Sequence, residues 1–488
     1  MPASPDQVQN PLLYQLHTRD WLKRCGCRTL DEVPGQELDR LAALGLDWLW
    51  LLGVWQTGQA GRSVSRANPE WRRSFEEALP DLREEDIVGS TFAITSYSVH
   101  ADFGGDFALA RLRDRLSQRG IRLLLDFVPN HTALDHAWVA EHPDFYIAGN
   151  ESDLAREPFN FARVGDSGKT RILAYGRDPN FAGWPDTLQL DYRNPEVQAA
   201  MLTELSRIAV RCDGVRCDMA MLLLPGIFHR TWGGEMNAFW PKALAAARAV
   251  DPDFLFLAEV YWGLEWELQQ QGFNYTYDKT LYDRLLEGSA PGVKSHLKAD
   301  AVYQSKSARF LENHDEPRIA AQLPAPAHHA AAVIAFLVPG MRLLHDGQLE
   351  GFRRKPSIHL ARRLRETPDR EIESFYKILL ECLRDGIGQG AWQLLETRAA
   401  WEQNPTWDDF VSFLWRRPDG TLFLPVVNYA PHASQCYLPL PHDAVTQDPV
   451  RFSDRLGPAI YVRSGEDVAE RGLYLDLPPW GCHLFELS

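Results

Sequence analysis

The chain has no run of about 18 uncharged apolar residues, so none of its 488 residues is expected to span a membrane. Its opening, MPASPDQVQNP, lacks the basic start and apolar stretch of a secretory signal, which leads us to expect a cytoplasmic protein. Positive charge is in short supply. There are 51 Lys and Arg against 66 Asp and Glu, a formal net charge of −15. A nucleic-acid partner is therefore not expected, because a phosphate backbone calls for a clustered positive surface. The acidic excess is read as solubility. Cysteine is sparse too, at seven residues without regular spacing. Cys25-Gly26-Cys27 is too tight for a zinc knuckle, so free thiols in a reducing compartment are expected. Repeats, coiled-coil heptads and low-complexity tracts are also missing.

What is present is a globular balance of 45% hydrophobic and 24% charged residues. A single hydrophobic core stops growing near ~250–300 residues, so one large domain plus a smaller one is expected. Apolar runs recur at 12–16, 46–52, 121–127, 214–217, 254–258, 273–277, 309–311 and 341–344. Helical spacing of apolar residues lies between several of them, as at 107–119 and 196–210. Strands alternating with helices in this number predict a (β/α)8 barrel. Beyond a helix at 371–384 the period changes to two. The runs 410–415 and 422–428 flank a Pro418-Asp419-Gly420 turn, which predicts a hairpin in an antiparallel β domain. The predicted division is a catalytic barrel over 1–387 and a C-terminal β domain over 388–488.

Four short segments carry the chemistry: DFVPNH at 126–131, DGVRCDMA at 213–220, FLAEVYW at 256–262 and FLENHD at 310–315. Each adjoins a predicted strand, and strand C-termini are where barrel enzymes build their sites. A barrel of ~250 residues allots roughly 31 residues to each strand-helix unit. Asp218 and Glu259 are 41 residues apart and Glu259 and Asp315 are 56, fitting strands four, five and seven. Asp126 and Asp218 are 92 apart, too many for one unit, so an insertion of about 132–190 is predicted after strand three. A long loop over 56–95 is predicted after strand two. Both would overhang the active face.

Carboxylates at the ends of apolar strands are costly to bury unless paired or used. With an Arg two residues before one of them, they suit a nucleophile, an acid and a charge stabiliser. Retaining glycoside hydrolysis needs such a set. Cys217 and Met219 alternate with Asp218 and are expected to point away into packing.

Taken together, the four segments resemble the conserved regions of the α-amylase superfamily of retaining α-glycoside hydrolases and transglycosidases, in the family's order. The barrel, the insertion and the C-terminal β domain extend the likeness to nearly the whole chain. The resemblance implies Asp218 as nucleophile, Glu259 as general acid/base and Asp315 as transition-state stabiliser. It implies that His131, Arg216 and His314 bind substrate or orient the nucleophile, while Asp126 and Asn313 support the site structurally. Asp126 also suits a turn before Pro129 and Asn130.

Departures from the family pattern are equally plain. Members usually carry a Lys-His pair three and four residues after the nucleophile, where Met221 and Leu222 stand, so the leaving-group side is expected to be more apolar. The family's acidic calcium ligand aligns with Gln189, near Asp191, and no metal or other cofactor is expected. Thr91 occupies the place of a sugar-stacking Tyr, leaving Phe92 or Tyr97 as substitutes and Trp184 and Trp262 as further stacking candidates. A basic run at 353–365 follows strand eight. It is read as a solvated or carboxylate-paired face, or as a grip for an anionic substrate group through Arg353, Arg354 or Lys355.

The expected function is a retaining α-glycosidase acting on an α-glucoside or α-glucan. Transfer or isomerisation on small, even phosphorylated, α-glucosides is the alternative, and a non-catalytic sugar- or protein-binding relative is the third reading. Oligomeric state stays open.

Overall fold

The protein is described by a computed structural model over residues 10–165 and 170–488. The opening MPASPDQVQ, read above for a leader, and residues 166–169 of the predicted insertion lie outside the described residues.

Eight parallel strands close into a barrel: β1 (Leu12–His17), β2 (Trp48–Leu52), β3 (Arg122–Phe127), β4 (Gly214–Cys217), β5 (Leu255–Ala258), β6 (Tyr275–Tyr277), β7 (Ser307–Arg309) and β8 (Met341–His345). Each pairs with its sequence neighbours, and β8 returns to β1. β1, β2, β4, β5, β7 and β8 are buried at every position, as strands walled by helices outside and side-chain layers inside must be. Gly214 opens β4 because β5 passes so close: a Cβ there would sit 2.7 Å from the Leu255 carbonyl oxygen.

The structure corrects two predicted elements. β7 ends at Arg309, two residues before the apolar run does, so Asp315 is reached through a loop rather than from a strand end. The stretch predicted as a loop over 56–95 holds helices α1 (Gln59–Ala67) and α2 (Pro69–Ala78), and Trp55–Thr57 pairs with Ile94–Val99. Asn68 separates the helices and caps the second, accepting from the Glu70 and Trp71 amides, with Pro69 as first helical residue.

The insertion after β3 contains two small antiparallel pairs, His131–Ala133 with Thr187–Gln189 and Phe161–Val164 with Arg171–Ala174. After the helix Arg370–Arg384, a six-stranded antiparallel sheet and a three-stranded sheet enclose a second core that includes Phe410, Leu424 and Phe485. The other face of the six-stranded sheet joins the barrel's own core, through Val411, Phe413 and Trp415. It packs on helix α3 (Ala325–Leu337), where the Trp415 indole N–H donates to the Leu337 carbonyl at 2.6 Å. Among the described residues, no helix is long and apolar enough to cross a membrane.

Candidate active site

Register between strands builds the site. Arg216 on β4 lies level with Asp126 on β3, and Asp218 and Glu259 each stand one residue past the ends of β4 and β5. Their backbones continue the ladder, Asp218 N–H to the Phe127 carbonyl at 2.8 Å and Glu259 N–H to the Cys217 carbonyl at 3.0 Å. The fully buried Arg216 guanidinium spans both carboxylates, 2.6 Å from Asp218 Oδ1 and 2.7 Å from Glu259 Oε2. Phe92 lies 5.1 Å from the guanidinium carbon, a cation–π contact that adds to the pairing.

Glu259 Oε2 also accepts from the Met219 amide at 2.6 Å, so with Arg216 it has two donors. A proton on this carboxyl therefore belongs on Oε1, which lies 2.9 Å from the Tyr261 hydroxyl. Burial, with Asp218 adding to it and Arg216 pulling the other way, pushes Glu259 up to about 8. In the general-acid role proposed below, Glu259 must start protonated, so its active fraction would drop about tenfold per pH unit above that value. The alkaline limb of kcat/KM should fall near pH 8, with a slope of about one log unit per pH unit. In Tyr261→Phe the ionised carboxylate loses a donor, and the limb should move to higher pH. A wild-type limb below pH 6, or no movement in the variant, would contradict this protonation scheme.

The supporting residues are placed as follows. Asp126 is buried and accepts from the Trp50 indole at 3.0 Å and from the Gly53 amide at 2.8 Å. Gly53 adopts φ of +72° and a Cβ would fall 2.5 Å from Thr91, so only glycine fits this turn. Burial raises the Asp126 carboxyl to about 6, against Arg216 and those two donors. Asn313 Oδ1 accepts from the Asp315 and Glu316 amides at 2.8 and 2.9 Å, fixing the loop beyond β7. His314 Nε2 meets Asp315 Oδ2 at 3.1 Å, and its Nδ1 meets the Gln15 amide at 2.7 Å. Burial, reinforced by Arg216, holds His314 well below the usual imidazole range, and burial also lowers His131. Both are neutral rings able to donate or accept. The Asp315 side chain is 42% exposed and faces the cleft.

Asp218, Glu259, Asp315, Arg216 and His131 line one cavity of about 340 Å³, with Phe92 and Trp184 among its aromatic walls. Volumes of this size sit at the low end of small-molecule pockets, ~300–1,000 Å³. Met219 is half-buried and packs against the barrel core, as expected, although it takes φ of +41° just past the end of β4 and the residue also borders the cavity. Several expectations need correcting. Met221 and Leu222 do not line this cavity, for the short helix Ala220–Leu223 buries both. Tyr97 gives its hydroxyl to the Val128 carbonyl at 2.9 Å, outside the cavity, and Trp262 lies beside Arg230, also outside it.

Gln189, in the place of an acidic ligand, is fully buried and donates to Asn130 Oδ1 and to the Asn130 carbonyl, both at 3.0 Å. Asp191 pairs with Arg193 instead. In the basic run, Arg362 pairs with Asp81 and Asp86, and Arg363 with Asp20 and Asp346. Lys355 donates to the Asp315 carbonyl, and the Arg354 guanidinium donates to the Glu77 carbonyl at 2.6 Å. The Arg353 amide bonds Glu366 at 2.9 Å.

Residues that the sequence reading did not single out also line the cavity: Trp71, Asp186, Tyr261, Ile358 and His359. Asp186 is buried, burial raises it to about 6, and its Oδ2 has no protein partner, which suits a sugar hydroxyl. Tyr261 stands two residues after Glu259, and Ile358 and His359 lie within the basic run at 353–365.

The family model for the α-amylase catalytic domain matches residues 35–371. The chain belongs to the α-amylase family. Among curated relatives of this family protein, α-amylase MalA of Haloarcula japonica is 24% identical over 358 residues, covering 72% of this chain and 45% of MalA. Trehalose-6-phosphate hydrolase of Escherichia coli K12 is 24% identical over 382 residues, covering 69% of this chain and 64% of the relative. The chain thus spans less than two-thirds of the length of these relatives. A noncanonic maltogenic α-amylase, AmyB from Thermotoga neapolitana, shares the fold across 99% of both chains, with a TM-score of 0.68 at 19% identity. An α-amylase from Lactobacillus plantarum does so across 98% of both, with a TM-score of 0.69 at 20% identity.

Proposed function

We propose that this α-amylase-family protein is a retaining α-glycosidase for short α-glucosides. The observation that carries the reading is the single Arg216 guanidinium shared by Asp218 and Glu259, beside a small cavity. One guanidinium spanning two carboxyls holds them close together, as double displacement requires. Asp218 attacks the anomeric carbon while the bond to the leaving oxygen breaks, and Glu259 Oε1 gives its proton to that oxygen. The product is a β-glucosyl ester on Asp218. Glu259, now ionised, takes a proton from water as the water attacks, and α-glucose leaves with its configuration retained. Asp315 and His131 hold ring hydroxyls as charge develops at the anomeric carbon, and His314, beside Asp315, positions that carboxylate. Water is thus the acceptor.

A neutral substrate is favoured, because neither Arg354 nor Lys355 lines the catalytic cavity, although the depression they do line also borders Asp315. The free thiols fit a cytoplasmic location. The distinguishing experiment is product analysis on p-nitrophenyl α-glucoside with and without added glucose or maltose. Free glucose should match released p-nitrophenol one for one even with acceptor present. Accumulation of new disaccharides at the expense of glucose would make transfer the function.

A further inference from the structure

The catalytic cavity has a built end wall. α2 and the segment Ser357–Ala361 beyond β8 meet across it. The Val88 amide donates to the His359 carbonyl at 2.9 Å, the Ala361 amide donates to the Asp86 carbonyl at 2.8 Å, and Ile87 bridges Leu360. The His359 ring lies 4.6 Å from Trp71 and 5.5 Å from Phe75, and its Nδ1 is 2.9 Å from the Ser65 hydroxyl on α1. Burial lowers this imidazole to about 4, so it packs as a neutral ring. Beneath it, Phe75, Leu79, Ile87 and Leu360 form a separate small hydrophobic cluster. Segments packed in this way are walls rather than lids.

On the other side of Ile358 and His359 lies a second cavity of about 460 Å³, lined by Ser74, Glu77, Arg354 and Lys355 among others. The two cavities share Asp315, Ile358 and His359 in their walls, and Ile358 with His359 forms a septum between them beside Asp315. Its place in the barrel decides its effect. The wall comes from the loops after β2 and β8, the two neighbours of β1, whereas Asp218 and Glu259 follow β4 and β5 on the opposite side. In a pyranose ring C4 lies across from C1. A glucose with C1 at Asp218 therefore points its O4 at the septum.

We propose that Trp71, Ile358 and His359 make this an exo-acting site that accepts one non-reducing terminal glucose and excludes a chain continuing through O4. The proposal rests on the α-glycosidase reading and adds the direction and unit of attack. Maltoheptaose bearing a reducing-end chromophore tests it, with and without a 4,6-ethylidene cap on the terminal glucose. The uncapped substrate should yield glucose as the first product, and the capped one should be turned over at least about 100-fold more slowly, since a shaped pocket rejects added bulk by that order. In the double variant Trp71→Ala, His359→Ala the ratio of capped to uncapped kcat/KM should rise by about tenfold or more.

Should that variant fail to fold, calorimetric binding to Glu259→Gln decides the matter without turnover: maltotriose should bind and its capped form should not. Equal turnover or equal binding of capped and uncapped sugars overturns exo-action alone. An enzyme that neither binds nor cleaves the uncapped sugars overturns the α-glucoside reading, and exo-action with it.

Discussion

Asp218→Ala should lose at least about 10⁴-fold in turnover, the scale seen when an essential member of a catalytic set is removed. The variant keeps the cavity but loses the atom that bonds to the anomeric carbon, so no covalent route remains. Stereochemistry then separates the two carboxylates. With an activated α-glucosyl fluoride, azide should enter the space left by the Asp218 carboxylate and give β-glucosyl azide. In Glu259→Ala the fluoride needs no acid and still forms the β-glucosyl ester, and azide then attacks that ester to give α-glucosyl azide. If both variants gave the same anomer, or if Asp218→Ala kept wild-type turnover, the assignment of nucleophile and acid would be wrong.

Asp346→Ala should damage stability away from the chemistry, costing about 3–5 kcal/mol, as expected when the buried partner is taken from an ion pair. Asp346 Oδ1 accepts from the Tyr14 hydroxyl inside the barrel at 3.0 Å. Its Oδ2 pairs with Arg24 and, at 3.1 Å, with Arg363. Both guanidiniums also pair with Asp20, so removing Asp346 leaves two cations, Arg363 largely buried and Arg24 about a third exposed, on one carboxylate. Burial acts to raise the Asp346 carboxyl, but Arg363 and Arg24 outweigh it and hold it well below its ordinary range. A depressed carboxylate adds stability above its unfolded pKa, ~3.9, and that contribution is lost as pH falls through the folded value. The denaturant midpoint of Asp346→Ala should therefore fall sharply at neutral pH, and the gap to wild type should narrow in acid. A loss below about 1 kcal/mol would show that the cluster contributes no more than a surface pair.

Much of the barrel was legible because its strands are apolar runs that stay buried on both faces, as 214–217 illustrates with bounds matching β4. The sequence was less informative where side chains within a strand carry charge. Arg309 is fully buried and pairs with Asp278, so β7 hides behind a polar residue and its apolar neighbours Phe310 and Leu311 pulled the reading two positions late. The septum was invisible for another reason. Trp71 and His359 belong to loops nearly 300 residues apart in sequence, and only barrel closure makes β2 and β8 flank the same strand.

Helix α3 carries a consequence for the last hundred residues. Ten of its thirteen positions are buried, because the barrel covers one side and the C-terminal sheet the other. A protein ending at Arg384 would bare this alanine-rich cylinder to water along its outer side. The β-rich tail is thus not a module that relatives could trade freely. Recombining it with a foreign barrel would require α3 and the sheet face holding Val411, Phe413 and Trp415 to be exchanged together.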